Sequence, residues 1–107
     1  MTLLKGTLDV LVLKALSWTP LHGFEITTWL EERSGGHLNV EDAALFQALH
    51  RMEERGLITA EWGVTENNRK ARYYSVTAKG KGYLKSEATA LTRYAQVVTS
   101  ILSARSA

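Results

Sequence analysis

The sequence predicts a mostly α-helical fold with one two-stranded β-hairpin and a long closing helix. Three observations carry that expectation. Apolar residues recur at helical spacing in three short stretches before Gly56. Between Leu57 and Val76 the apolar period falls to two. From Ala78 onward an apolar seam runs down a single uninterrupted segment. The chain has 107 residues, of which 45% are hydrophobic and 22% charged. That is the length of one domain and the balance of an ordinary globular protein.

Leu8, Leu11, Val12, Ala15 and Leu16 keep the i, i+3, i+4, i+7, i+8 spacing of an amphipathic helix. Thr7 is its expected N-cap, and Asp9 suits the positive end of the helix dipole. Pro20 stops the pattern, so Ser17-Trp18-Thr19-Pro20 reads as a turn. A second helix is expected from Gly23 to Arg33, with Phe24, Ile26, Trp29 and Leu30 as its apolar positions. Ser34-Gly35-Gly36 ends it, because glycine accepts the left-handed conformation of a helix C-terminus. A third helix is expected from Glu41 to Arg55, burying Leu45, Leu49 and Met52. Its opposite face shows Ala43, Ala44, Gln47, Arg51 and Glu54, small and polar.

Ile58, Ala60, Trp62 and Val64 then alternate with polar or small residues, as a half-buried strand does. Glu66-Asn67-Asn68-Arg69 has turn chemistry, since asparagine tolerates positive φ. Arg72 to Val76 is the returning strand, rich in aromatic and β-branched residues. Thr77 reads as the N-cap of the last helix, which runs to about Ser103. Leu84, Ala88, Leu91, Ala95, Val98 and Leu102 form a heptad seam along it, widened by Tyr94, Val97 and Ile101. A seam of that length needs a cover. Three short helices are too small to supply all of it, so a second copy of the chain is the expected partner.

Several function classes are excluded. The longest apolar run, Val10 to Leu13, falls far short of the roughly 18–20 residues of a membrane span. The start of the chain lacks the pattern of a secretory signal. There is no cysteine, hence no disulfide and no thiolate metal site. A cytoplasmic protein with no membrane partner is expected. His22, His37 and His50 do not sit at ligand spacing, so no metal and no cofactor are expected. No glycine-flanked serine, P-loop or GxGxxG is present, and an enzyme is not expected.

The net charge of +2 hides an asymmetry. Arg69, Lys70, Arg72, Lys79, Lys81 and Lys85 stand against Glu66 alone between residues 66 and 85, which gives that segment +5. The remainder carries −3. A basic segment on a mildly acidic body is the footprint of a polyanion-binding edge. Three helices followed by a hairpin with a basic tip is the winged helix-turn-helix arrangement. The major groove of B-DNA, about 12 Å wide, admits one helix, and the hairpin can offer cations to the phosphates beside it.

At this point the chain resembles the PadR-like transcriptional regulators. Leu4-Lys5-Gly6-Thr7-Leu8-Asp9 resembles the opening of that family, and Pro20-Leu21-His22-Gly23-Phe24 its turn into the second helix. Ser34-Gly35-Gly36 with Val40 resembles the approach to the recognition helix. Ala44-Leu45-Phe46-Gln47-Ala48-Leu49-His50-Arg51-Met52-Glu53 is similar to that helix, and Gly56-Leu57-Ile58 to its end. Arg69-Lys70-Ala71-Arg72-Tyr73-Tyr74 and Val76-Thr77-Ala78-Lys79-Gly80 resemble the wing strand and the start of the last helix. The sequence departs from the family pattern at Ala44, Phe46 and Gln47, where a hydroxyl residue, tyrosine and proline are usual.

The resemblance implies a homodimeric DNA-binding repressor acting on a pseudo-palindromic operator, in the short form with one C-terminal helix. Residues 1–77 are then the DNA-binding unit and 78–107 the dimerisation helix. Candidate DNA contacts are Ala43, Ala44, Gln47 and Arg51 on the third helix and Asn68, Arg69, Lys70 and Arg72 on the wing. Gln47 is the expected base reader, because its amide can pair bidentately with adenine. His50 is expected to be half-buried. Of Tyr73 and Tyr74, one is expected in the core and the other free to reach a phosphate. Trp18, Trp29 and Trp62 are expected to fill core or pack the hairpin. A small aromatic effector at the dimer seam is what relatives of this family suggest. The rival reading is a protein–protein interaction module that keeps the winged fold without binding DNA.

Overall fold

The computed structural model describes residues 1–106. The last residue of the expected dimerisation segment, Ala107, lies outside the described residues. Six elements follow one another: α1 (Thr7–Ala15), α2 (Gly23–Arg33), α3 (Asp42–Glu54), β1 (Ile58–Val64), β2 (Lys70–Val76) and α4 (Ala78–Leu102). The fold is mostly α with one antiparallel hairpin, as the sequence predicts.

Helix α1 begins one residue earlier than Thr7 could cap it. Gly6 takes φ 86° and stands at the N-cap position, so Thr7 is the first helical residue and caps nothing. After Pro20 the chain runs extended, and Leu21 exchanges backbone hydrogen bonds with Tyr74 at 3.2 and 2.9 Å. That bridge ties the entry of α2 to the hairpin. His22 caps α2 by accepting from the Glu25 amide, while the Glu25 carboxylate accepts from the His22 amide at 3.1 Å. Two free N–H groups of the helix end are satisfied reciprocally.

Helix α3 ends where the sequence places its glycine. Gly56 sits at φ 74°, which lets the Leu57 amide reach back to the Met52 carbonyl at 2.9 Å. A side chain there would strain the turn. Leu57, fully buried, then enters the hairpin. Its two strands pair from Ile58↔Val76 to Val64↔Lys70. The returning strand starts at Lys70, two residues before the expected Arg72. Asn68 takes φ 59°, and the Thr65 amide donates to the Arg69 carbonyl at 2.8 Å, so the turn closes early and the ladder is longer.

Leu13, Leu16, Ile26, Leu45, Leu49, Met52, Leu57 and Ile58 form the core between α1, α2, α3 and the hairpin base. Thr77 caps α4: its hydroxyl accepts from the Gly80 amide at 3.0 Å and donates back to the α3–β1 turn. Such a cap contributes about 1 kcal/mol. Gly80 is buried against that turn, and a Cβ there would collide with the Leu57 carbonyl oxygen. Helix α4 packs on α1 and on the hairpin, then leaves the body. The molecule is accordingly elongated, 62 × 29 × 22 Å.

Candidate nucleic-acid interface

An α-helix turns about 100° per residue. Leu45, Ala48, Leu49 and Met52 of α3 point into the core. The opposite side is therefore centred on Ala43, Gln47, His50 and Glu54, all exposed. His50 corrects the expectation of a half-buried histidine. Its ring is solvent-facing and pairs with Glu54 one turn on. The sequence signal for it was the helical wheel itself, which sets His50 about 20° from Ala43, on the side away from Gln47.

Ala44 and Arg51 lie on one flank of this face, toward the N-terminal segment. Arg51 Nη2 donates to Asp9 Oδ1 at 2.8 Å. The Asp9 side chain is only 8% exposed, whereas that of Arg51 is 54% exposed. A carboxylate so enclosed needs a partner, and Arg51 supplies it across the gap between α1 and α3. The first-turn position of Asp9 masked its tertiary role.

The other flank of α3 carries Phe46 and Glu53 and faces the hairpin. Cross-strand register sets Ile58, Ala60, Trp62 and Val64 on one side of the hairpin, opposite Val76, Tyr74, Arg72 and Lys70. The base of that side is core, and Tyr74 is buried there. Its outer half overhangs the body. Arg72 Nη2 donates to Glu53 Oε2 at 3.2 Å, bracing the wing on α3, and Arg72 Cζ lies 5.9 Å from the centroid of the Trp62 ring. Burial pushes the Tyr74 hydroxyl above its ordinary pKa; the neighbouring Arg72 charge draws it back and that of Glu53 adds to the rise. Tyr73 lies on the far side of the hairpin, over Gly63 and against His22 at 5.3 Å.

Asn68 is in the turn at the wing tip, followed by Arg69 and Lys70. Among the described residues, no carboxylate pairs with Arg69 or Lys70. Between the wing, the start of α2 and α3 lies a cleft of about 790 Å³.

Trp29 packs against the core, but Trp18 and Trp62 depart from the expectation that each tryptophan fills core or packs the hairpin. Trp18 and Trp62 are largely exposed. Trp18 packs on Trp29 at 5.6 Å between centroids, with Lys14 over its outer face at 4.6 Å. Trp62 follows the correct alternation but sits beyond the end of the core. On α4 the seam is divided. Leu84, with Tyr83, packs on the core of its own chain. Ala88, Leu91 and Val98 are half-buried, Ala95 and Leu102 exposed, and Tyr94, Val97 and Ile101 widen the exposed part. No group of His, Asp or Glu among the described residues could hold a metal ion. None of the described helices is long and apolar enough to cross a membrane.

Comparison with known proteins fits this geometry. An uncharacterized protein of Lysinibacillus sphaericus is 28% identical over 82 residues, which cover 77% of this chain and 75% of that protein. A PadR-like transcriptional regulator of Bacillus cereus superposes with a TM-score of 0.81 at 24% identity, over 94% of this chain and 96% of that one. PadR of Bacillus subtilis, solved in complex with operator DNA, superposes with a TM-score of 0.67 at 22% identity, over 76% of this chain and 46% of that one. The two structural likenesses are likenesses of fold. The sequence model of the transcriptional regulator PadR-like family matches residues 12–86. With more than half of its length matched, the chain belongs to the PadR-like family of transcriptional regulators, and is a regulator rather than an enzyme.

Proposed function

We propose that this regulator binds duplex DNA as a homodimer and represses transcription by occupying a pseudo-palindromic operator. One observation carries the reading: an exposed, small-to-polar face on α3 stands beside an overhanging hairpin whose tip cations, Arg69 and Lys70, have no carboxylate partner among the described residues. In this reading α3 enters the major groove. Gln47 reads a base edge, flanked by Ala43 and Ala44, and His50 lies on the same face. Asn68, Arg69 and Lys70 meet phosphate beside the groove. Arg51 and Arg72 keep their carboxylates and turn their remaining N–H groups to the backbone, which a guanidinium with five donors permits. The operator complex of Bacillus subtilis PadR is the fold-level precedent.

The uncovered seam of α4 supports the dimer. Leu91 borders a groove against Val10 of α1, beside Tyr94, and the exposed Ile101 and Leu102 extend the apolar surface beyond the body. A second α4 fits that need. A small aromatic effector belongs at the same seam, where Tyr94 is the aromatic side chain able to stack on it. The cytoplasm, where such an operator is reached, is the proposed location.

Selection from random duplexes tests the reading. Enrichment of a site with two symmetric halves about one helical turn apart is expected. Gln47→Ala should then lose roughly ten- to a hundredfold preference at one base position per half. Arg69→Ala and Lys70→Ala should weaken all duplexes alike and lower the salt slope of log K by about 0.9 for each phosphate no longer neutralised. A selection that enriches no duplex overturns the proposal and favours the protein-interaction module.

A further inference from the structure

Three large side chains beside α3 have no part in the reading above. Phe24 is 76% exposed, Trp62 70% and Phe46 52%. All three open on the one cleft between the start of α2, α3 and the wing. Local structure holds them there. The Phe46 ring lies on the backbone of Gly23, where a Cβ would come within 3.3 Å of Phe46 Cζ. Trp62 is carried past the end of the core by its register opposite Arg72. Arg69 and Lys70 stand at the mouth of the same cleft. Of the acids that border it, Glu25 is engaged in capping α2, and Glu66 belongs to the turn at the tip.

An apolar floor with a cationic rim suits an occupant that is apolar along one side and anionic along the other. A DNA strand has that character, with deoxyribose and thymine methyl groups on one side and phosphates on the other. We propose that Phe24, Phe46 and Trp62 form an apolar seat for the strand passing between α3 and the wing, and that Phe46 reads the C5-methyl group of a thymine. This rests on the DNA-binding reading above. Phe46 immediately precedes Gln47 and points toward the wing side of α3, so its ring meets the base pair next to the one Gln47 reads. Phenylalanine distinguishes thymine by contact with that methyl group. Sugar packing on Trp62 and Phe24 strengthens binding without releasing counterions, so it leaves the salt slope unchanged.

The test uses the full chain and the duplex that wild-type protein selects. Each thymine is replaced singly by uracil, which removes the methyl group and nothing else. One position per half-site should lose about fourfold in affinity, the worth of one buried methyl group. Phe46→Ala should bind the thymine and uracil duplexes equally. Phe46→Leu, which keeps more of the bulk, should shrink the difference, and it decides the matter if the alanine variant melts early. Trp62→Ala should weaken every duplex with an unchanged salt slope. Insensitivity to every thymine methyl, or a difference that survives at Phe46, overturns the reading of thymine. A Trp62→Ala variant with full affinity, or with a lower salt slope, overturns the seat. Both results presuppose a selected duplex, whereas failure to select any duplex overturns the DNA-binding reading beneath them.

Discussion

Gly80 and Gly82 are two residues apart at the start of α4, and replacing each by alanine should move stability in opposite directions. Helix propensity alone favours alanine over glycine by roughly 0.8–1 kcal/mol at an interior position. Gly82 has open space where a Cβ would stand, so Gly82→Ala should gain up to about that amount. At Gly80 the added Cβ meets the Leu57 carbonyl and comes within 2.8 Å of Val76 Cγ2. Neither neighbour is the free end of a flexible chain. The helix must lift from the α3–β1 turn, and overpacking of that kind costs about 1–3 kcal/mol. Lifting also loosens the Thr77 bonds to Leu57, the amide bond at 3.0 Å and the hydroxyl bond at 3.0 Å, each worth about 1 kcal/mol. The net expectation is a loss of about 2–3 kcal/mol despite the better propensity. For a chain of this length each kcal/mol moves Tm by roughly 4–8 °C. Thermal melts followed by circular dichroism, at one fixed protein concentration, should therefore show Gly80→Ala down by about 10–20 °C and Gly82→Ala up by a few degrees. A Gly80→Ala protein that melts at or above the wild type refutes the close approach of α4 to Leu57.

Leu91→Glu places a charge in the seam beside Val10 and Tyr94, where desolvation without a partner is costly. Sedimentation should show a wild-type dimer and a monomeric variant; a wild-type monomer at micromolar concentration refutes the seam. Tyr74 tests the buried base of the wing through pH. Its hydroxyl is held above the ordinary value of 10.0 by burial, so above pH 10 the unfolded chain has released that proton while the folded one retains it. Stability should fall as pH rises through this window, and Tyr74→Phe should lack that part of the fall. Parallel denaturation profiles for the two proteins above pH 10 refute it.

The order of elements is legible because each boundary carries its own chemistry. Pro20, Gly36, Gly56 and Asn68 each mark a boundary through a backbone property, and Thr77 through a local side-chain cap, none of which needs tertiary information. The helical spacing of Leu45, Leu49 and Met52 identifies the buried side of α3, and with it the exposed side. Periodicity does not reveal how far the body extends beneath a strand. Trp62 has the alternation of a core residue and hangs over solvent, and Trp18 closes a turn at the surface. Nor does it reveal partners distant in sequence. Asp9 reads as a dipole-favouring acid, yet its partner is 42 residues away. Leu84 has the spacing of an intermolecular seam and is taken up by its own chain, because Gly80 brings that end of α4 against the core.

The Asp9–Arg51 bond divides α3 into a portable part and a fixed part. Ala43, Gln47 and His50 touch solvent and, apart from the local His50–Glu54 pair, hold nothing in place. Arg51 joins the helix to α1, and α1 in turn packs on α4. In the proposed dimer, substitutions on the first set rewrite the letters of the operator and leave the body untouched. A substitution at Asp9 does the reverse. It removes the charged tie between α1 and α3, so its effect falls on the body rather than on the reading face. Grafting a new reading face onto this chain therefore leaves Arg51, with its Asp9 partner, and Glu53, which braces the wing, in place.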